Sequence, residues 1–175
     1  MKKEIVIISD LWGKQKSEWL SHFIHYLHPN FYLKFYDACK LGGIQTAPYS
    51  KENLHSQFVE FGIEKAVDNL LRIEGQPKIY IGCSVGGLIA WKAALKGLRL
   101  EKLIAISSTR LRKEKIIPEC SLQLYFGKDD LHQPSSEWYK TLGINNQIIL
   151  PGGHDIYHDK NAIKEICHKL LTLTK

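Results

Sequence analysis

Residues 78–91 read Lys-Ile-Tyr-Ile-Gly-Cys-Ser-Val-Gly-Gly-Leu-Ile-Ala-Trp, and no other stretch constrains the fold so tightly. The apolar run Ile79 to Ile81 leads into Gly82-Cys83-Ser84-Val85-Gly86, and an Ala- and Leu-rich helical stretch follows. A strand that turns this sharply into a helix needs residues without bulk on either side of the turn. Gly82 and Gly86 supply that, and Gly87 lets the helix lie close to the sheet. The pattern projects the Ser84 hydroxyl above the carboxyl end of the strand, at the helix N-terminus, which makes Ser84 a candidate nucleophile for acyl transfer. The same glycines also suit a purely structural turn or a phosphate cradle. Neither G-x-G-x-x-G nor G-x-x-x-x-G-K-[ST] occurs in the chain.

Apolar, β-branched runs alternate with helix-period stretches along the whole chain. Strands are expected at 4–9, 32–36, 78–83, 102–107, 122–126 and 147–150, and helices at 16–27, 54–73, 85–96, 136–141 and 161–173. In the second helix Phe58, Phe61, Ile63, Ala66, Leu70 and Leu71 share one broad face. Strands alternating with helices predict an α/β domain of about six mostly parallel strands, with helices on both faces joined by right-handed crossovers. The 175 residues suit one such domain spanning the whole chain, 1–175, with no repeat or linker.

No run approaches membrane-span length, and the apolar segment after Lys2 and Lys3 is too short for a signal-peptide core. A cytoplasmic protein is expected. Cys39, Cys83, Cys120 and Cys167 are scattered without a C-x-x-C pair and read as free thiols, neither a disulfide frame nor a zinc site. The chain also lacks H-E-x-x-H, and its other histidines are not spaced as metal ligands. The formal charge of +6 is mostly dispersed, as on a solvated surface, and no nucleic-acid partner is expected. The exception is Arg110, Arg112, Lys113 and Lys115, which are opposed only by Glu114.

A serine nucleophile needs a base to take its proton, and the base needs a carboxylate to fix its tautomer. In a parallel sheet such groups collect at the carboxyl ends of the strands. After the fifth strand comes Gly127-Lys128-Asp129-Asp130, and after the sixth Gly152-Gly153-His154. His154, behind two glycines, is the candidate base, with His158 as the alternative. Asp129 and Asp130 compete for the acid role. One oxyanion donor is expected from the Val85 N–H and a second from the loop after the first strand, Trp12 or Leu11. The Trp12 ring itself could equally be packing over the core.

With these residues in place the chain resembles the α/β-hydrolases along nearly its whole length. It is most similar in pattern to the pimeloyl-acyl-carrier-protein methyl ester esterases. Asp10-Leu11-Trp12-Gly13 running to Trp19 matches that family's His-Gly-Trp-Gly segment and its later tryptophan. Gly82-Cys83-Ser84-Val85-Gly86-Gly87-Leu88 matches its Gly-x-Ser-x-Gly-Gly-Leu. The family's acid lies three residues after a glycine, so the resemblance selects Asp130 over Asp129, with Gly153-His154 as the base. The resemblance implies a minimal hydrolase core. Asp10-Leu11 stands where the family has His-Gly, and two strands that usually precede the first are missing. Only 108–121 lies where a cap domain would insert, so none is expected and the site should be open.

The implied activity is cleavage of a carboxylic ester or thioester through Ser84, His154 and Asp130, with Val85 and Trp12 as oxyanion donors and no cofactor or metal. An acyltransferase on the same triad and a non-catalytic binding module are the alternatives. The basic run sits where the cap would begin. It reads either as a solvated face or as a landing site for an anionic substrate or an acidic partner such as acyl carrier protein.

Overall fold

The computed structural model describes residues 2–173. Six strands, β1 (Glu4–Ile8), β2 (Tyr32–Tyr36), β3 (Lys78–Cys83), β4 (Leu100–Ile106), β5 (Ser121–Gly127) and β6 (Gln147–Leu150), form one sheet in the order β2-β1-β3-β4-β5-β6. Every pairing is parallel. The order reverses at β1 and β3, which makes their carboxyl ends the topological switch point where such sheets place their sites.

Period-two alternation divides the core between the two faces. Ile5, Ile7, Ile79, Ile81, Ile104, Ile106 and Tyr125 pack with helices α1 (Leu20–Leu27) and α7 (Lys160–Leu173). Val6, Ile8, Tyr80, Leu103, Ala105, Leu124 and Phe126 face the opposite layer. That layer holds α2 (Ala38–Gly42), α3 (Lys51–Gln57), α4 (Ile63–Ile73), α5 (Val85–Leu95) and α6 (Ser136–Leu142). The central strands are buried on both faces, as near-continuous aliphatic runs require.

Three elements depart from the pattern-based expectation. The helix expected from residue 16 begins at Leu20, behind a 3-10 turn at Gly13–Lys16. The connection between β2 and α3, for which no helix is expected, opens with α2, capped by the Asp37 carboxylate on the Cys39 N–H at 2.8 Å and ended by Gly43 at φ 65°. The single helix expected over 54–73 is α3 and α4 joined through a π-helical turn at Phe58–Gly62. That wider turn breaks the 3.6-residue register. Phe58, Ile63, Ala66 and Leu70 stay buried, while Phe61 swings out to 40% exposure. Where a cap would insert, a five-residue 3-10 turn, Thr109–Lys113, connects toward β5.

Candidate active site

Ser84 joins β3 to α5 at φ 51°, a left-handed conformation that a residue with a side chain adopts only under local strain. The surroundings hold it there. Its N–H donates to the Ile106 carbonyl at 2.8 Å, which extends the β3–β4 ladder by one bond. A Cβ on Gly82 would strike the backbone of Gly86 and Gly87, and one on Gly86 would strike the carbonyls of Ile8 and Ser9. A Cβ on Gly87 would strike the Ser108 hydroxyl, so this glycine sets the approach of α5 to β4.

Ser84 Oγ lies 3.0 Å from His154 Nε2, and His154 Nδ1 lies 2.7 Å from Asp130 Oδ2. An ionised carboxylate can only accept, so Nδ1 carries the proton and Nε2 is left to accept from the serine hydroxyl. Asp130 is 4% exposed, and its Oδ1 accepts the His132 N–H at 3.0 Å. The neighbouring Asp129 is exposed and meets the base loop only through its N–H, donated to the Gly152 carbonyl. Gly127 has no room for a Cβ beneath the carbonyls of Gly152 and Gly153, and this lets the acid and base loops lie together. The His154 side chain is 42% exposed, so the imidazole is reachable from solvent. His158 is turned elsewhere, against the rings of Tyr157 and Trp19.

The loop after β1 is held more tightly than its sequence suggests. Tyr49 O–H donates to the Trp12 carbonyl at 2.7 Å and Cys39 S–H to the Leu11 carbonyl at 3.1 Å. The Trp12 N–H, expected to be an oxyanion donor, is already donated to Asp10 Oδ1 at 3.0 Å. The cause is the aspartate that stands in the histidine's place: a short carboxylate reaches the N–H two residues on and forms an Asx turn. The Leu11 N–H finds no acceptor among the described residues. Val85, at the first position of α5, keeps an N–H that no intrahelical carbonyl can reach. The Trp12 ring packs 5.5 Å from Tyr49 under the Lys16 ammonium, so its side chain is held by packing in the loop after β1.

Two depressions open on the helical layer that holds α2 to α5, and neither is lined by Ser84, Asp130 or His154. Trp12, Lys40, Ile44, Thr46 and Tyr49 line an open groove of about 600 Å³. Between the π-helical turn and the 3-10 turn at Thr109–Lys113, a cleft of about 240 Å³ is lined by Phe58, Phe61, Leu88, Arg110 and Lys113, by Glu60, and by Lys92 with its ion-pair partners Glu64 and Glu114. Of the basic run, Arg110 and Lys113 thus face this cleft, while Arg112 and Lys115 are exposed. The positive field is felt locally: burial lowers the His55 pKa, and Arg110, Lys51 and Lys113 lower it further. The sequence assigns no role to Asp10, noted only as a departure from the family's His-Gly, to Tyr157, whose hydroxyl meets the Asp10 carboxylate at 3.0 Å, or to Ser107, buried at φ 51°.

No protein-family model matches the sequence, and no curated protein matches it. Solved structures do match in shape. The mouse α/β-hydrolase domain-containing protein 10 superposes with a TM-score of 0.68 at 15% identity, covering 98% of this chain and 89% of that one. A structure from a study of carboxylesterases of the thaumarchaeon Nitrososphaera gargenis superposes at 0.69 and 14%, covering 98% and 90%. The Vlm2 thioesterase domain, solved with a bound dodecadepsipeptide, superposes at 0.58 and 14%, covering 96% and 95%. The fold is therefore that of the α/β-hydrolases. No helix among the described residues is long and apolar enough to cross a membrane.

Proposed function

We propose that this protein is a serine hydrolase that cleaves a carboxylic ester or thioester through an acyl-enzyme intermediate. The observation that carries this reading is the unbroken line Ser84 Oγ–His154 Nε2, His154 Nδ1–Asp130 Oδ2, at 3.0 and 2.7 Å, assembled from three separate strand ends. His154 takes the Ser84 proton as Oγ attacks the acyl carbon, and Asp130 holds the imidazolium that forms. His154 then returns the proton to the leaving alcohol or thiol, and afterwards deprotonates the water that releases the acid. The Val85 N–H is one oxyanion donor. For the other we favour Leu11 over Trp12, because the Trp12 N–H is committed to Asp10.

The absence of a cap and the basic run Arg110, Arg112, Lys113 and Lys115 on the turn after β4 favour a large anionic substrate, an acyl group borne by an acidic carrier protein, over a small free ester. A p-nitrophenyl ester series from acetate to decanoate tests the hydrolase reading. Turnover that vanishes in Ser84→Ala supports it, and the chain-length optimum reports the depth of the acyl site. A folded protein that turns over neither these esters nor an acyl carrier thioester contradicts it.

A further inference from the structure

The two most buried carboxylates outside the Ser-His-Asp line are built in opposite ways. Glu74 accepts from Lys34 and Tyr36 at 2.7 and 2.6 Å and from Lys78 at 2.6 Å, so two ammonium groups neutralise it. Asp10 is 0% exposed, yet no lysine or arginine pairs with it among the described residues. Its partners are the Trp12 N–H at 3.0 Å, the Tyr157 hydroxyl at 3.0 Å and, at 4.0 Å, His158 Nε2. A buried charge so weakly compensated is costly, and apolar residues of the same volume commonly stabilise a fold as well or better. The pair therefore calls for a reason beyond stability.

Its position supplies one. Asp10 lies in the loop after β1, and Tyr157 lies in the 3-10 turn Ile156–His158, three residues after His154. The Tyr157 ring also stands edge-on to the His154 imidazole, centroids 6.3 Å apart. One carboxylate thus grips the first-strand loop with Oδ1 and the base loop with Oδ2. Burial and the Asp10 charge push the Tyr157 hydroxyl far above the usual phenol range, so it stays a donor.

We infer that Asp10 and Tyr157 are positioning residues that lock the first-strand loop to the His154 loop, setting the oxyanion donor and the base in mutual register. The inference rests on the serine-hydrolase reading and goes beyond it. By drawing the Trp12 N–H down to its own carboxylate, Asp10 fixes the loop conformation in which Leu11 presents its N–H to the site. The effect belongs to the transition state, where the oxyanion and imidazolium form together, and so to kcat more than KM.

The test compares wild type with Asp10→Ala, Asp10→Asn and Tyr157→Phe on one p-nitrophenyl ester, with inhibition by an alkyl trifluoromethyl ketone, whose serine adduct carries the oxyanion. Thermal melting checks that each variant is folded at the assay temperature. Asp10→Ala should lose about 100-fold in kcat, the scale of a lost oxyanion contact. Tyr157→Phe, which keeps the ring and deletes one hydroxyl, should lose about 10-fold, with KM near wild type in both and ketone affinity falling in parallel. Asp10→Asn, which keeps an acceptor for the Trp12 N–H, should recover most of the loss. Folded Tyr157→Phe or Asp10→Ala with wild-type kcat and ketone affinity overturns the inference while leaving the hydrolase reading intact. A wild type inert to both ester and ketone removes the hydrolase reading, and the inference with it.

Discussion

The chemistry of the site turns on which atoms of a few side chains are free. The proposed nucleophile and base, Ser84 and His154, are readable from local pattern, because a glycine-flanked turn and a glycine-preceded loop histidine are features of adjacent residues. The acid is not readable in this way. Asp129 and Asp130 are neighbours; the family resemblance favours Asp130, and it is the Asp130 carboxylate that lies 2.7 Å from His154 Nδ1. The Trp12 N–H shows where pattern stops. Its bond to Asp10 is a competition between a side chain and a transition state for one donor, and spacing carries no trace of it. At this scale Ser84→Ala and His154→Ala should each lower kcat by about 10⁴-fold or more without unfolding the protein. Asp130→Asn should lower it by roughly 10³–10⁴-fold, through the wrong tautomer. Asp129→Asn should stay within about twofold, because its exposed carboxylate makes no hydrogen bond or ion pair among the described residues. Steady-state kinetics on one ester settles the order, and a larger loss for Asp129→Asn would reverse the acid assignment.

Among the elements, the strands were the most legible. β-branched and aromatic runs bounded by turn residues mark them, and the expected strands match the edge strands β2 and β6 and the central strand β3 to the residue. The short α2 was missed because five residues show too little periodicity, although Asp37 and Gly43 are ordinary cap residues. The π-helical turn was missed because one extra residue per turn shifts a hydrophobic face without erasing it, and only Phe61 betrays the shift. The turn matters because, with the 3-10 turn after β4, it shapes the cleft beside Leu88. Gly87 is the contact that fixes α5, and hence Ser84, against β4. Gly87→Ala places a methyl against Ser108 and Ala105 and should cost about 1–3 kcal/mol in urea unfolding, with kcat reduced as the turn shifts. Unchanged stability would mean that the helix has slack the packing does not suggest.

For the whole molecule, two features govern behaviour in solution. Burial pushes Cys39 and Cys167 up to about 12 and Cys120 up to about 11, and Cys83 well above its usual range. Unfolded thiols ionise near pH 8.5, several units below the folded ones, so the unfolded state releases protons first. Stability should therefore be flat below about pH 8 and fall as pH rises toward 11, by up to about 1.4 kcal/mol per thiol per unit. Urea midpoints at pH 7.5 and pH 10 measure this, and equal midpoints would contradict it. The second feature is the basic run from Arg110 to Lys115. Arg112→Glu with Lys113→Glu should slow hydrolysis of a carrier-borne acyl group by about 10-fold or more at low salt while leaving a small ester nearly unchanged, because steering acts on the charged partner. Equal effects on both substrates would reduce the run to a solvated face. The six-stranded parallel sheet with helices on both faces was legible from the alternation of elements, whereas the strand order and the depth and lining of both depressions depend on packing that alternation does not specify.

The measurement that bears most directly on an activated serine is intact-mass analysis of the native protein after treatment with a fluorophosphonate. A single adduct should appear, map to Ser84, disappear in Ser84→Ala and form far more slowly in His154→Ala, because the imidazole supplies the basicity that makes Oγ reactive. A folded protein that takes no adduct, or takes the same one in Ser84→Ala, would show that the line from Asp130 to Ser84 does not activate a nucleophile.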